Sequence, residues 1–499
     1  MDAGENPEIA AALAKLAEQD AVAAEDARAA LEWIAGEQGL ALITQERIQN
    51  FCWYQLPVKW LIGIEGKLRV AGGLAHVLDL LQLPRYAAIC RSQTTREILS
   101  AHEIGTAEGT AAFRRAAAAS GIMPPGLPEF ERGATMGFQE ASAWSSTADF
   151  LEVAVASGDL VPGKRGWKTR QRELVRAHLD APRAGLLGQT FAQLILTERA
   201  ETWINLRRGE TRRRILAAIA NRLLHSAELP AETAADPLPR LRWLLDQLNH
   251  GIALTQAGNL NQKFVQQSAD RFGWDFSRPP RAEDDLFDLH QLRHLAQRLG
   301  LARRSRRMLM LTAKGRRLLT DPGQLWCAVA AGLLGGNDFS VFAGELFLAL
   351  LLDADSVPYS EIEATVGQAV AEEGLRESRT GERPDEQDIG WAVHATSNMC
   401  RALGLMVTGS DWLDRSYGLT GTGQATALQA LRARACGVPE PGLLRGSLVF
   451  VDEAAEDCAA LDPLLGEVGD GFVGPDRAAA MGLSVAVPAY SARTDHRWR

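Results

Sequence analysis

The sequence predicts a mainly α protein: a helical N-terminal domain followed by two modules in which helices carry a small β-hairpin. Three observations predict it. Apolar residues recur at helical spacing through most of the chain. A helix–hairpin–helix frame occurs twice, about 105 residues apart. A proline-bearing stretch, ELPAETAADPLP (228–239), reads as a linker between the two parts.

A chain of 499 residues exceeds one typical core, so several domains are expected. The abundance of alanine and the excess of arginine over lysine read as the imprint of GC-rich codons. A formal net charge of -9 argues against a surface coated with nucleic acid and leaves room for a local basic patch. Cys52, Cys90, Cys327, Cys400, Cys436 and Cys458 are scattered, without paired spacing, and read as reduced thiols packed in cores. The start of the chain lacks the basic and apolar regions of a signal peptide. The apolar run VFAGELFLALLL (341–352) is short for a membrane span and carries a glutamate. Together these point to a cytoplasmic protein with no membrane partner.

In chain order, residues 1–39 read as one amphipathic helix closed by Gly36 and Gly39. Residues 40–227 read as a helical domain, with Thr94 and Glu97 as a capping box. Its segment 140–157 has an apolar face through Ala143, Trp144, Ala148, Leu151 and Val155. Residues 240–335 and 336–437 hold the two copies of the frame, and 438–499 reads as an acidic, Gly/Pro-punctuated tail.

Each copy contains an apolar helix ending at Leu-Gly-Leu (299–301, 403–405), a polar stretch of hairpin length, and Leu-Thr-x-x-Gly (311–315, 419–423) opening another helix. In the first copy Leu289, Leu292, Leu295, Ala296 and Leu299 form one stripe. Gly300 supplies the helix stop and Thr312 the next cap. The opposite face shows His290, Gln291, Arg293, His294, Gln297 and Arg298. A helix, a two-stranded wing and a capped helix match the winged-helix branch of helix-turn-helix folds, whose exposed helix enters a major groove.

Residues 301–317 contain no acid. Arg303, Arg304, Arg306, Arg307, Lys314, Arg316 and Arg317 are candidate phosphate contacts, and Arg293 and Gln297 are candidates for reaching base edges. A solvated basic face, or one that pairs with the acidic tail, is the other reading. The second copy keeps the frame and changes the chemistry: its helix face carries His394, Thr396, Ser397 and Asn398, and its wing Asp411, Asp414 and Arg415. The segment 357–372 fits the helix that precedes its exposed helix. A second basic cluster, RRGETRRR (207–214), opposes the dipole of the helix it starts and reads as a phosphate contact or a solvated turn.

No catalytic residue, metal site or cofactor emerges. Gly158…Gly163-Lys164 has P-loop spacing, but Arg165 replaces the Mg²⁺-binding hydroxyl residue and Pro162 removes an amide. His290 and His294 lack further metal ligands, and Cys90 lacks an identifiable base. An enzyme site within 40–227 remains open, with Arg91, Arg96 and Glu140 as residues that could converge.

Two sets of segments carry resemblances. FCWYQLPVKWL (51–61), RYAAICRSQTTREIL (85–99) and GWKTRQRELVRAHLDAP (166–182) resemble uncharacterised actinobacterial proteins, which imply no activity. GIALTQAGNLNQKFV (251–265), LGLARRSRRMLMLTAKGRRLLTDPGQLW (299–326) and LTGTGQATALQALRARA (419–435) are similar to the winged-helix-like C-terminal part of passenger proteins of actinobacterial insertion elements and plasmids. That similarity implies the repeat architecture and no catalytic residue. The expected function is a cytosolic, non-enzymatic nucleic-acid-binding or regulatory protein with DNA as partner. The alternative is a scaffold whose winged helices bind partner proteins or a second copy.

Overall fold

The computed structural model describes residues 7–35, 40, 43–130, 137–274, 279–376, 381–409 and 416–437. The chain divides into two compact units, one reaching Ile195 and one starting at Leu196. The described residues are mainly helical, with two small antiparallel sheets of three strands each.

The first unit begins with α1 (Pro7–Ala17) and α2 (Ala21–Ala35), where the sequence reads as a single helix. The break is chemical: the Asp20 carboxylate accepts the Ala23 N–H at 2.9 Å and so caps a new helix. The proposed stops at Gly36 and Gly39 lie outside the described residues. α3 (Gln45–Asn50) runs through a π-helical turn, 51–55, into α4 (Leu56–Lys59). Then follow α5 (Ile64–Leu80), α6 (Pro84–Arg91), α7 (Gln93–Ile104) and α8 (Thr106–Ser120). The stripe of α1 and α2 (Leu13, Leu16, Ala27, Leu31) joins Leu74, Leu78, Ile98 and Leu99 in one core. The cap of α7 is Ser92, which accepts from the Thr95 N–H, and not Thr94. Thr95 is buried instead and accepts the indole N–H of Trp53 at 2.8 Å.

α9 (Phe138–Ser157) and α10 (Trp167–Asp180) build a second core of this unit around Ala143, Leu151, Val175 and Leu179. Glu152 of α9 ties the two cores together, accepting the Gln45 N–H at 2.7 Å and the Tyr86 hydroxyl at 2.8 Å.

α11 (Phe191–Asn205) spans the boundary between units. In the second unit, α12 (Glu210–Ala218) and α13 (Ala220–Leu223) precede the first module. That module runs α14 (Pro239–Leu248), β1 (Ile252–Ala253), α15 (Gln262–Phe272), α16 (Phe287–Arg298), β2 (Ala302–Ser305), β3 (Met308–Leu311), α17 (Ala313–Leu319) and α18 (Pro322–Ala331). The second runs α19 (Asp338–Asp353), β4 (Val357–Pro358), α20 (Tyr359–Glu372), α21 (Glu386–Leu403), β5 (Met406–Thr408), β6 (Ser416–Leu419) and α22 (Gly421–Cys436). The two sheets have the same topology, β1-β3-β2 and β4-β6-β5, so the last strand of each module is central.

The shared sequence frame has a physical cause. Gly300 and Gly404 take φ of +67° and +78°, the left-handed stop that glycine adopts without strain. Leu301 and Leu405 then return their N–H groups to Ala296 and Cys400, both at 2.8 Å. Their carbonyls accept the N–H of Thr312 and Thr420 at 2.9 and 3.0 Å. Each threonine hydroxyl caps the following helix by accepting from Gly315 or Gly423, both at 3.0 Å. Those glycines are required by contact: a Cβ would sit 2.3 Å from the Leu301 oxygen or 1.9 Å from the Leu405 oxygen.

Residues 228–239, read as a linker, lie within the second unit. Leu238 is buried there, and the Thr422 hydroxyl donates to that of Thr233 at 2.8 Å. The apolar run 341–352 forms the buried centre of α19. Residues 438–499 lie outside the described residues.

Gly315→Ala is expected to destabilise the second unit by about 1–3 kcal/mol through backbone overpacking. Gly72→Ala, in α5 with no atom within 4 Å of the added carbon, should instead stabilise by roughly 0.5–1 kcal/mol. Thermal unfolding of both variants checks this, and a Gly315→Ala melting temperature equal to wild type would overturn the clamp.

Candidate nucleic-acid interface

The cations of the first module follow the β2–β3 hairpin and the helix after it. Ala302 pairs with Leu311 and Arg304 with Leu309 across the ladder. Ala302, Leu309 and Leu311 are buried, whereas Arg303, Arg304, Arg306 and Arg307 are exposed. Arg306, in the turn, has φ +54°, the left-handed region where glycine, asparagine or aspartate is the usual occupant of a two-residue hairpin turn. An arginine held there costs about 1–2 kcal/mol.

Lys314, Arg316 and Arg317 are also exposed. Their local bonds, like those of the hairpin, go to carbonyls. Lys314 Nζ donates to Leu299 O at 2.9 Å, Arg316 to Leu311 O at 3.3 Å and Arg304 to Arg306 O at 3.3 Å. Carbonyls leave the formal charge in place. Among the described residues none of these seven cations has a carboxylate within ion-pair distance.

α16 presents a different picture. Its leucine stripe is buried as expected through Leu289, Leu292, Leu295 and Ala296. Arg293 is an internal strut: its guanidinium pairs with the fully buried carboxylate of Glu283 and donates to Gly258 O at 2.8 Å. Its side chain is 14% exposed. Glu283 also accepts the Leu260 N–H at 2.7 Å, so the pair fixes the β1–α15 loop against α16. Gln297 is half-buried. α16 packs along α21, the equivalent helix of the second module, and Asp288 in its first turn pairs with Arg401 in the last turn of α21 at 3.0 Å. The two helices that would face a groove therefore cover one flank of each other.

In the second module, Thr396 and Ser397 are buried, not exposed as the helical face suggested, and Thr396 lies against Gly344 of α19. His394 stacks on Tyr359 with ring centroids 5.1 Å apart. The exposed aromatic of α21 is Trp391, at 68%. Asp411, Asp414 and Arg415, expected in a wing, lie outside the described residues.

The cluster 207–214 is neither a solvated turn nor wholly available to phosphate. Arg212 is 1% exposed, donates to the carbonyls of Trp203 and Ile204, and lies 3.7 Å from Glu345. Arg434 of α22 holds the other oxygen of Glu345 at 3.0 Å. Glu372, the last residue of α20, and Glu373 after it accept the backbone N–H groups of Thr211 and Gly209 at 2.7 and 3.0 Å. Carboxylates from another helix thus supply the negative charge that the start of α12 lacks. This network joins α12, α19, α20 and α22. Its sequence signal is the lone glutamate inside the apolar run 341–352.

Elsewhere, Gly158 is the left-handed cap of α9 and Gly163 lies in the turn before α10. Cys90 is buried with its sulfur 3.7 Å from that of Cys52, and this contact together with burial pushes the Cys52 thiol well above its ordinary pKa. Arg91 pairs with Asp79 at 2.6 Å, and Glu140 is buried. No group of three potential metal ligands occurs among the described residues, and no described helix is long and apolar enough to cross a membrane.

Residues 240–324, from α14 into α18, match the domain family described as Y4jL N-terminal domain. The likeness covers the first module alone. No curated protein and no solved structure matches the chain.

Arg293→Ala is expected to cost about 3–5 kcal/mol of stability, because it strands the buried Glu283 carboxylate. Chemical denaturation reads this directly. A variant as stable as wild type would return Arg293 to the set of residues free to contact a ligand.

Proposed function

We propose that the second unit binds nucleic acid through the first module, a winged helix that grips the phosphate backbone with its wing and the start of α17. One observation carries the reading: seven exposed cations on a hairpin and the helix after it, none with a carboxylate partner among the described residues. Their local bonds to carbonyls orient Arg304, Lys314 and Arg316 without neutralising them. The order helix–strand–helix–helix–strand–strand and the central position of the last strand support the winged-helix assignment of both modules.

Phosphate contacts fix position on a duplex and carry no sequence information by themselves. With Arg293 engaged by Glu283 and α16 flanked by α21, the mode is backbone binding with weak base discrimination.

A second reading, a protein-interaction module, is favoured by the second copy. There Trp391 is 68% exposed, at the position where the first copy has the less exposed Phe287 (45%), and Val407, 55% exposed, stands where the first copy has Arg303. Exposed aromatics of this kind act as binding anchors. Light scattering of wild type against Trp391→Ala tests it, with a smaller assembly in the variant as the expected result and identical masses as the result against it.

For the leading reading, the full chain is expected to bind duplex DNA at about 50 mM salt with an affinity that falls steeply as salt rises. Replacing Arg303, Arg304 and Arg307 together by alanine should flatten the log–log salt slope by about 2–3 and leave thermal stability nearly unchanged, because all three are exposed. No binding by wild type at low salt, or an unchanged slope in the variant, would sink the reading.

A further inference from the structure

Several arginines of the second unit have a carboxylate partner, and the seven clustered cations of the wing and α17 have none among the described residues. Arg242 pairs with Asp236, Arg293 with Glu283, Arg401 with Asp288 and Arg434 with Glu345. Acids close in space neutralise these four arginines, whereas Arg222, Arg240 and Arg298 donate to carbonyls. The wing has no such partner among its described neighbours, in a chain whose formal net charge is -9.

The same chain holds a segment of complementary charge. Residues 452–470, DEAAEDCAALDPLLGEVGD, carry seven carboxylates and no lysine or arginine. We propose that this acidic segment docks on the arginine wing and occupies the cations that nucleic acid would use.

Reach and charge both favour this occupant. The segment follows Gly437, the last described residue after α22. The residues between Gly437 and Asp452 extend up to about 50 Å, against a radius of gyration of about 18 Å for a unit of this size. Tethering makes the encounter intramolecular, so pairs that are individually weak act at a high effective concentration. The wing offers a mixed display of guanidinium groups with one ammonium, Lys314, all solvated. Such a display selects for negative charge and not for an apolar shape. Docking would place a polyanion of the chain's own on the surface proposed for the phosphate backbone, making occupancy by the two mutually exclusive.

The docking contact stands on its own; the competition rests on the nucleic-acid reading above. The test uses the full chain and a full-length variant in which every Asp and Glu of 452–470 becomes Asn or Gln. Limited trypsin digestion at low salt reports the wing directly. Cleavage after Arg303, Arg304, Arg306 and Arg307 should be several-fold slower in wild type than in the variant, with cleavage elsewhere as reference. Equal wing cleavage overturns the docking. A wild-type rate that depends on protein concentration also overturns it, because the occupant is then a second copy.

Binding to a duplex DNA probe reports the competition. The variant should bind about tenfold more tightly than wild type at 50 mM salt, and the two should converge near 300 mM as screening weakens the internal contact. Equal affinities with different wing cleavage overturn the competition and keep the docking. Different wing cleavage with no DNA binding by either protein keeps the docking and overturns the nucleic-acid reading.

Discussion

One carbonyl oxygen in each module sets the geometry on which the rest of the second unit depends. The oxygens of Leu301 and Leu405 receive the threonine N–H that closes the hairpin and lie against a glycine of the next helix. That approach is closer than any side chain allows. It fixes where the hairpin leaves the helix, where it returns, and where the following helix starts. The buried leucines supply the stabilising area, but they are tolerant of small shifts. The carbonyl clamp is not, which is why it persists in both copies while surface residues differ.

Charge in this unit is divided into two regimes. Inside, Arg212, Arg434 and Arg293 are matched to Glu345 and Glu283, and such pairs chiefly penalise the loss of either member. These arginines set how helices meet. Outside, the exposed arginines of the β2–β3 hairpin have no carboxylate partner among the described residues, so their interaction with any polyanion is long-ranged and sensitive to salt. The same residue type is architectural in one place and exposed without a described carboxylate partner in the other. Burial and the presence of a carboxylate decide which.

Periodicity made the helical class, the leucine stripe of α16 and the two module frames legible in the sequence, because burial on one face imposes a repeat of 3.6 residues. The glycine stops and threonine caps were legible because few residues perform those tasks. The break between α1 and α2 was carried by Asp20, a capping residue inside an alanine-rich run whose period hides it. Partners far apart in sequence left weaker traces. Glu283 sits in a short acidic run that looks solvated, and Glu345 answers an arginine more than 130 positions earlier in the chain. Local spacing placed Arg293 on a polar helix face, and only the fold brings the β1–α15 loop over it. Thr396 and Ser397 were misplaced for a similar reason: a second layer of helices covers the face that a single-helix view leaves to solvent.

The two copies differ in length between their clamps. Leu301 to Thr312 is four residues shorter than Leu405 to Thr420, yet both ends are tied to the same kind of carbonyl at nearly the same distance. The hairpin is therefore a cassette mounted on a fixed socket. Its length and chemistry can drift, or be exchanged between the copies by grafting, without disturbing the leucine core beneath. A duplicated module with such a socket can diversify what it touches while keeping how it folds.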